Sequence, residues 1–353
     1  MTEPAGDDPI RYPFETPPEH GVPRVVAPGV EWVRLPLPMA LDHVNCWVLE
    51  DAGGVAIVDT GFDTKRTRAL WEKALGGRAV TRVIVTHHHP DHVGLAGWFR
   101  ANGAELFMSR TAWLMARMLQ LDVQDRPSPE AVAFWKGGGM EAGILAARLD
   151  ERPFNFADVT APLPLGFTRL VEGDSLSIGG RIWRIRMGAG HAPEHATLWS
   201  ETDDLVLGGD QLLPSISPNL GVYPTEPEAD PVADWLAACT RLAPHARPEQ
   251  LVLPGHKLPF RGLPARMRQL AENHHGALAR LEAHLSEPRT AAQCFAPLFK
   301  RRIGSSEYGL ALVEAMAHCL HLWHVGRVVR REGPDGAWLW QARGGAGDAR
   351  SAG

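Results

Sequence analysis

The stretch "RVIVTHHHPDHVG", residues 82–94, constrains this chain more than any other. Val83, Ile84 and Val85 form a short, continuously apolar run, the signature of a strand covered on both faces. Four imidazoles and one carboxylate follow within positions 87–92, and Pro90 stiffens the turn among them. Imidazole nitrogens and carboxylate oxygens are the ligands that a borderline cation such as zinc takes. Residues two apart in an extended loop point the same way, so His87 and His89 can grip one ion. Asp91 and His92 come one step later, where the chain turns into a helix, and can face a second ion. His88 then points away. A lone histidine is usually a hydrogen-bonded or solvated side chain, but that explanation is weak for so dense a run at a strand-to-helix junction.

The flanking sequence repeats the strand signal. "VEWVRLPLP", "NCWVLE" and "VAIVDTG" read as short strands, with a hairpin break at Asp51-Ala52-Gly53-Gly54. "TKRTRALWEKALG" reads as an amphipathic helix closing at Gly76, "VGLAGWFRANG" as a helix and "AELFMS" as a strand. Strands resume with "LSIGG", "RIWRIRMG", "ATLWS", "DLVLGGD" and "LVLPGH". Two clusters of strands with helices between them predict the α/β class and an αββα layering of stacked sheets. Residues 109–150 break the rhythm: they are helical in pattern, rich in Met and Trp, and include "KGGG" at 136–139. They read as a helical insertion, either a packed helical pair or a lid or homodimer contact.

The chain has 353 residues, enough for a large core and a small accessory domain, and its net charge is −5. That balance argues against a protein that coats nucleic acid or an acidic membrane with its whole surface, and leaves room for a local basic patch. Cys46, Cys239, Cys294 and Cys319 are scattered, which reads as reduced thiols and predicts a cytoplasmic protein. No apolar run approaches the roughly 18 residues of a membrane span. The first 20 residues hold five acidic groups, one Arg and five prolines, unlike a secretory signal. Residues 1–28 are expected to be an extended arm and 344–353 a flexible Gly-rich tail.

"HHHPDH" at 87–92 resembles the H-x-H-x-D-H signature of the metallo-β-lactamase-fold superfamily, and the rest of that pattern follows in order. "VDTG" places Asp59 at the motif where an Asp usually supports the metal loop. "GAGHAPEH" places His191 at the next metal-binding histidine, "LGGD" places Asp210 at the bridging carboxylate, and "LPGH" places His256 at the last ligand. The resemblance covers roughly residues 30–260 and points to a glyoxalase II-like hydrolase branch, with residues 29–262 as catalytic domain. It implies one ion on His87, His89 and His191, another on Asp91, His92 and His256, and Asp210 between them. It further implies two Zn2+ per chain, with Fe or Mn as alternatives, and a bridging hydroxide that attacks the substrate while Asp91 moves its proton. Because His89 stands where oxygen-using di-iron relatives resemble H-x-E-x-D, the pattern favours hydrolysis.

His195, the second histidine of "GHAPEH", reads as a support behind the ligands or as a wall of the substrate pocket. Ser215, Asn219 and Tyr223, in the loop after Asp210, are substrate-contact candidates, with plain loop structure as the equal alternative. His318, His321 and His324 read as a solvated or interfacial stripe, and His274-His275 as surface helix. Residues 263–343, three helices followed by a hairpin turning at Pro334-Asp335-Gly336, resemble the winged-helix appendage of some metallo-β-lactamase-fold hydrolases. Residues 277–343 hold nine Lys/Arg against six Asp/Glu, with clusters at Lys300-Arg301-Arg302 and at Arg327, Arg330 and Arg331. The expected function is cleavage of a thioester, ester or lactone in a small-molecule acyl substrate. The alternative is a nuclease or phosphodiesterase to which this basic domain guides RNA or single-stranded nucleic acid. No cluster of basic residues dedicated to glutathione stands out.

Overall fold

In the computed structural model, which describes residues 9–305 and 307–344, two sheets carry the apolar strands. The first contains, in spatial order, β1 (Arg24–Ala27), β2 (Val30–Pro36), β3 (His43–Asp51), β4 (Gly54–Val58), β5 (Val80–Ile84), β6 (Glu105–Ser109) and β7 (Thr168–Leu170). β1 to β4 pair antiparallel, with Asp51 opposite Gly54 at the expected hairpin. β4 to β7 pair parallel, because helices carry the chain back between them. These are α1 (Lys65–Leu75), α2 (Pro90–Val93), α3 (Ala96–Ala101), α4 (Arg110–Leu121), α5 (Pro129–Gly137) and α6 (Ala142–Asp150). α1 begins where the Thr64 hydroxyl accepts the Thr67 N–H and stops at Gly76, whose φ of 56° is left-handed.

The second sheet holds β8 (Ser175–Ile178), β9 (Arg181–Gly188), β10 (His195–Ser200), β11 (Leu205–Gly209) and β12 (Leu251–Pro254). α7 (Pro231–Leu242) lies in the connection between the parallel strands β11 and β12. Strand alternation sorts the side chains into layers. Trp32, Trp47, Ile84, Leu198, Leu207 and Leu253 fill the space between the sheets. Val33, Leu35, Val48 and Val83 point the other way and pack with Trp71, Phe99, Ala112 and Ala116 of α1, α3 and α4. On the outer face of the second sheet, Trp199 and Val252 meet Leu242 of α7 and Leu263 and Met267 of α8 (Leu263–His284). This is the αββα sandwich.

By contact the chain divides into two compact units. One comprises residues up to 123, 154–218 and 238–268, and holds both sheets and the three apolar layers. Part of the expected N-terminal arm is docked on it: Phe14 meets Trp32 edge-to-face at 6.2 Å and Arg24–Ala27 forms the sheet edge. The other comprises 124–153, 219–237 and the chain from 269. It contains α5, α6, α9 (Phe295–Phe299), α10 (Tyr308–His324) and a hairpin of β13 (Val328–Glu332) and β14 (Trp338–Ala342). The helical stretch at 109–150 is thus shared, with α4 in the first unit and α5 and α6 in the second. Residues 1–8 of the arm and 345–353 of the tail lie outside the described residues.

Two histidine expectations need correction. His274 and His318 are buried, not on the surface, and their rings stack at 5.6 Å. α10 is apolar on nearly every side, so a histidine at position 318 goes into the core with Ala315 and Leu322, and its Nδ1–H donates to the Glu314 carbonyl at 2.8 Å. His321 is half-buried against Asp230 at 3.0 Å, and only His324 of the three is exposed. Among the described residues, no set of metal-capable groups includes this stripe. No helix there is long and apolar enough to cross a membrane.

Candidate metal centre

The site forms where strands of both sheets end. β5 releases Thr86 and His87, and His89 occupies the extended position just before α2, so Asp91 and His92 fall in the first turn of that helix. β9 leads to His191, β11 ends at Asp210 and β12 ends just before His256. Two glycines make the approach possible. Gly209 has a φ of 47°, and a Cβ on Gly255 would lie 2.1 Å from Asp210 Oδ1 and 2.8 Å from the His92 ring.

Among the described residues, three sets of ligand atoms could hold a metal ion: His87, His89 and His191; His87, His92 and Asp210; and Asp91, His92 and His256, the atoms of each set lying within 4.8 Å of one another. Asp210 lies between them. Its Oδ1 is 3.5 Å from His92 Nε2, and its Oδ2 is 3.4 Å from His191 Nε2 and 3.1 Å from His256 Nε2. Asp91 Oδ2 is 3.5 Å from His92 Nε2 and 3.4 Å from His256 Nε2. Ligands at ~2.0–2.1 Å around a tetrahedral ion stand roughly 3.3 Å apart, so these spacings suit a coordination shell.

The electrostatics point the same way. His92 Nε2 and Asp210 Oδ1 are buried without a hydrogen-bond partner among the described residues, an arrangement that is costly unless a cation completes it. Burial alone would lower the pKa of His92, but Asp91, Asp210 and Asp59 overcome it and hold the imidazole well above its ordinary value. Burial would lower His256 as well, yet the facing Asp210 outweighs it and leaves this imidazole raised. Burial would raise the Asp210 carboxyl, but the facing His256 and His92 hold it well below the usual range. Burial and neighbouring imidazoles push His87 and His89 far down, into the neutral form a metal takes, whereas at His92 and His256 a cation would bind by displacing the proton the carboxylates favour.

Surrounding residues fix two of the candidate ligands, His92 and His256. The Asp59 carboxylate, at a φ of 61°, accepts from the Thr86 N–H and hydroxyl at 2.8 Å each and from His92 Nδ1–H at 2.8 Å, which turns His92 Nε2 inward. His256 Nδ1–H donates to the His43 carbonyl at 2.7 Å. The loop carrying His256 is held by fully buried Asn45, whose Nδ2 donates to the carbonyls of Pro254 at 3.0 Å and Lys257 at 2.8 Å. Trp32 Nε1 donates to Asn45 Oδ1 at 2.8 Å, and the Asn45 N–H donates to the Gly255 carbonyl at 2.7 Å. His43 and Asn45 escaped the sequence reading. Their signal was two polar groups on alternate positions of a strand whose next residues, Cys46 to Leu49, are apolar.

The remaining candidates differ in their surroundings. His195 is fully buried, stacks on His87 at 4.5 Å and accepts the Asp210 N–H on Nε2 at 3.0 Å. It stands behind the ligands, not on an open wall. His88 is buried and belongs to none of the metal-capable sets. His88→Ala should therefore leave metal content within about a tenth of the wild-type value, checked by elemental analysis. Ser215 is exposed. Asn219 Nδ2 donates to Glu314 of α10 at 2.7 Å, and Tyr223 is 43% exposed.

Glu314 carries its own prediction. Burial pushes its carboxyl up to about 8, with the Asn219 hydrogen bond opposing. A raised folded-state pKa favours the fold while the group is protonated, so that stability is complete below the ordinary carboxylate range and lost as pH rises through about 8. The Tm of Glu314→Gln minus that of wild type should rise from pH 5 to about pH 8 and level off above it. A pH-independent difference would contradict this.

With the geometry in place, the relatives are informative. The sequence pattern described as "Metallo-beta-lactamase superfamily" matches residues 39–273. The chain belongs to the metallo-beta-lactamase superfamily. Residues 278–343 match the superfamily's C-terminal domain, "Metallo-beta-lactamase-like, C-terminal domain". A beta-lactamase domain protein from Burkholderia ambifaria has a similar structure, with a TM-score of 0.87 and 35% identity over 95% of this chain and 98% of that one. A metallo-beta-lactamase family protein from Thermus thermophilus gives 0.74 and 29% over 90% and 100%. A Bacillus subtilis (strain 168) protein named a probable metallo-hydrolase is 24% identical over 81% of this chain and 89% of its own length. Membership in the superfamily, with this His/Asp cluster, makes the chain a metal-dependent hydrolase that uses a divalent cation.

Proposed function

We propose that the chain is a dinuclear zinc hydrolase that cleaves a thioester, ester or lactone in a small acyl substrate. The observation that carries this reading is Asp210, whose two carboxylate oxygens face different histidines, with a three-residue ligand set on either side. His87, His89 and His191 would hold one ion and Asp91, His92 and His256 the other, with Asp210 shared. Such a pair, when bound, supplies a nucleophilic hydroxide near neutral pH and Lewis acidity toward the substrate oxygen. Asp59 and the His43 carbonyl keep the imidazoles turned inward. Asp91, half-buried at the start of α2, is placed to accept and pass on a proton at its carboxylate.

The nuclease alternative loses part of the support it drew from the basic clusters, since three of their six members are paired with carboxylates. Arg301 forms a two-pronged pair with Glu307 at 2.7 and 2.8 Å, Arg327 pairs with Glu282, and Arg330 with Glu228 at 2.6 Å. Guanidinium groups already neutralised by carboxylates offer little to phosphates.

The test is metal content of the purified protein together with a hydrolysis panel of acyl-CoA and glutathione thioesters, lactones, a bis-phosphodiester and a short RNA. About two zinc per chain with turnover of a carbonyl substrate is the expected result. RNA or phosphodiester cleavage without acyl turnover would overturn the acyl reading in favour of the nuclease. One metal per chain, or iron in place of zinc, would overturn the dinuclear zinc assignment.

A further inference from the structure

β9 reads "RIWRIRMG", and Trp183, Ile185 and Met187 pack between the sheets, so Arg184 and Arg186 stand on the outer face. There, with Trp199 and Ser200 of β10, Glu201, the turn at Pro244-His245, Arg247 and Gln250, they line a cleft of about 270 Å³. β10 spans the distance to the metal centre: His195 lies at one end and Ser200 at the other, roughly 16 Å apart at ~3.3 Å per residue.

The three guanidinium groups are not equivalent. Arg184 is committed to the Glu201 carboxylate at 2.9 and 3.1 Å and to the Gly173 carbonyl at 2.6 Å. Arg247 is committed to Asp204 at 2.9 Å. Arg186 has no acceptor among the described residues, and its Nε is buried. Burial holds its pKa below the ordinary value, with Glu172 pulling weakly the other way. The pKa of His245 is lowered, by burial and then by Arg186, so the imidazole adds no compensating or competing charge near pH 7. The two committed pairs cancel, and Arg186, which Glu172 influences without a hydrogen bond to its fork, presents its donors in a fixed planar array. A partly buried guanidinium is stable when a carboxylate or phosphate fills that fork.

We infer that this cleft is an anion-binding site, separate from the metal centre, which seats a phosphate or carboxylate group of a small molecule on Arg186. The test is calorimetric titration of the metal-loaded protein with inorganic phosphate and, separately, with malonate, at constant ionic strength set by sodium chloride. Saturable binding of one or both is expected, weakened at least tenfold by Arg186→Gln. Phosphate alone would assign a phosphorylated ligand, and malonate alone a carboxylate. Arg186→Lys keeps the charge without the fork and should weaken binding less than Gln, which also covers a poorly folded Gln variant. No binding above the chloride background, or equal affinity in wild type and both variants, would overturn the site. Neither result depends on the identity of the hydrolysed substrate.

Discussion

Asp210→Ala is expected to lose both metal ions and at least roughly a thousandfold in kcat/KM, equivalent to about 4 kcal/mol of transition-state stabilisation. The reason is geometric. Asp210 faces His92 through one oxygen and His191 and His256 through the other, so a single truncation removes a ligand from both halves of the site. It also removes much of the negative charge that draws a cation there, since Asp210 raises the pKa of both His92 and His256. The fold itself should survive, because the carboxylate sits at a strand end and takes part in none of the three apolar layers. A metal that binds only the native state stabilises it by mass action. In the wild type, adding zinc should therefore raise Tm, whereas in Asp210→Ala that increment should vanish while the metal-free Tm stays close to the wild-type value. Two metals retained per chain in the variant would refute the bridging role.

The grouping of this candidate site was legible in the sequence because its residues are tied to local pattern. His87, His89, Asp91 and His92 follow one apolar run, and Asp210 and His256 each follow a strand and a glycine. Those glycines have a physical cause: at 255 any side chain would collide with Asp210 and His92. The layers were legible for a similar reason, since alternation in β2 and β3 assigns each buried apolar residue to one of two cores. Contacts distant in sequence were not. The burial of His274 depends on His318, 44 residues away, and nothing in the local pattern around "ENHHGA" announces it. The engagement of Asn219 with Glu314 across 95 residues was equally invisible, and it gives a loop residue, for which substrate contact and plain loop structure stood as equal readings, a hydrogen bond to a carboxyl. The division of residues 109–150 between two units rests on the same kind of long-range contact.

Asn45 gives the most demanding prediction, because the claim is that a residue touching no metal controls one half of the site. Its amide satisfies the carbonyls on both sides of the Gly255-His256 pair, those of Pro254 and Lys257, while its oxygen takes the Trp32 indole N–H. Lys257 has a φ of 69°, so the loop turns sharply just after the ligand and relies on outside support to keep that shape. Leucine has nearly the same shape as asparagine but no polar atoms. Asn45→Leu would leave one buried and one half-buried carbonyl and one buried indole N–H without this partner, at about 1–3 kcal/mol for each group that water cannot reach. Partial relaxation should hold the net loss to roughly 2–4 kcal/mol, a Tm decrease of roughly 4–10 °C for a unit of this size. Lost stability alone would be an ordinary core effect, so the deciding readout is metal. With the His256 loop released, the Asp91, His92 and His256 set should weaken while His87, His89 and His191 stay in place. Dialysis against a mild chelator should then leave about one metal in Asn45→Leu under conditions where the wild type keeps two. Loss of Tm with both metals retained would make Asn45 a packing residue only, and loss of both metals in step would mean that the two halves of the site cannot be uncoupled through this loop.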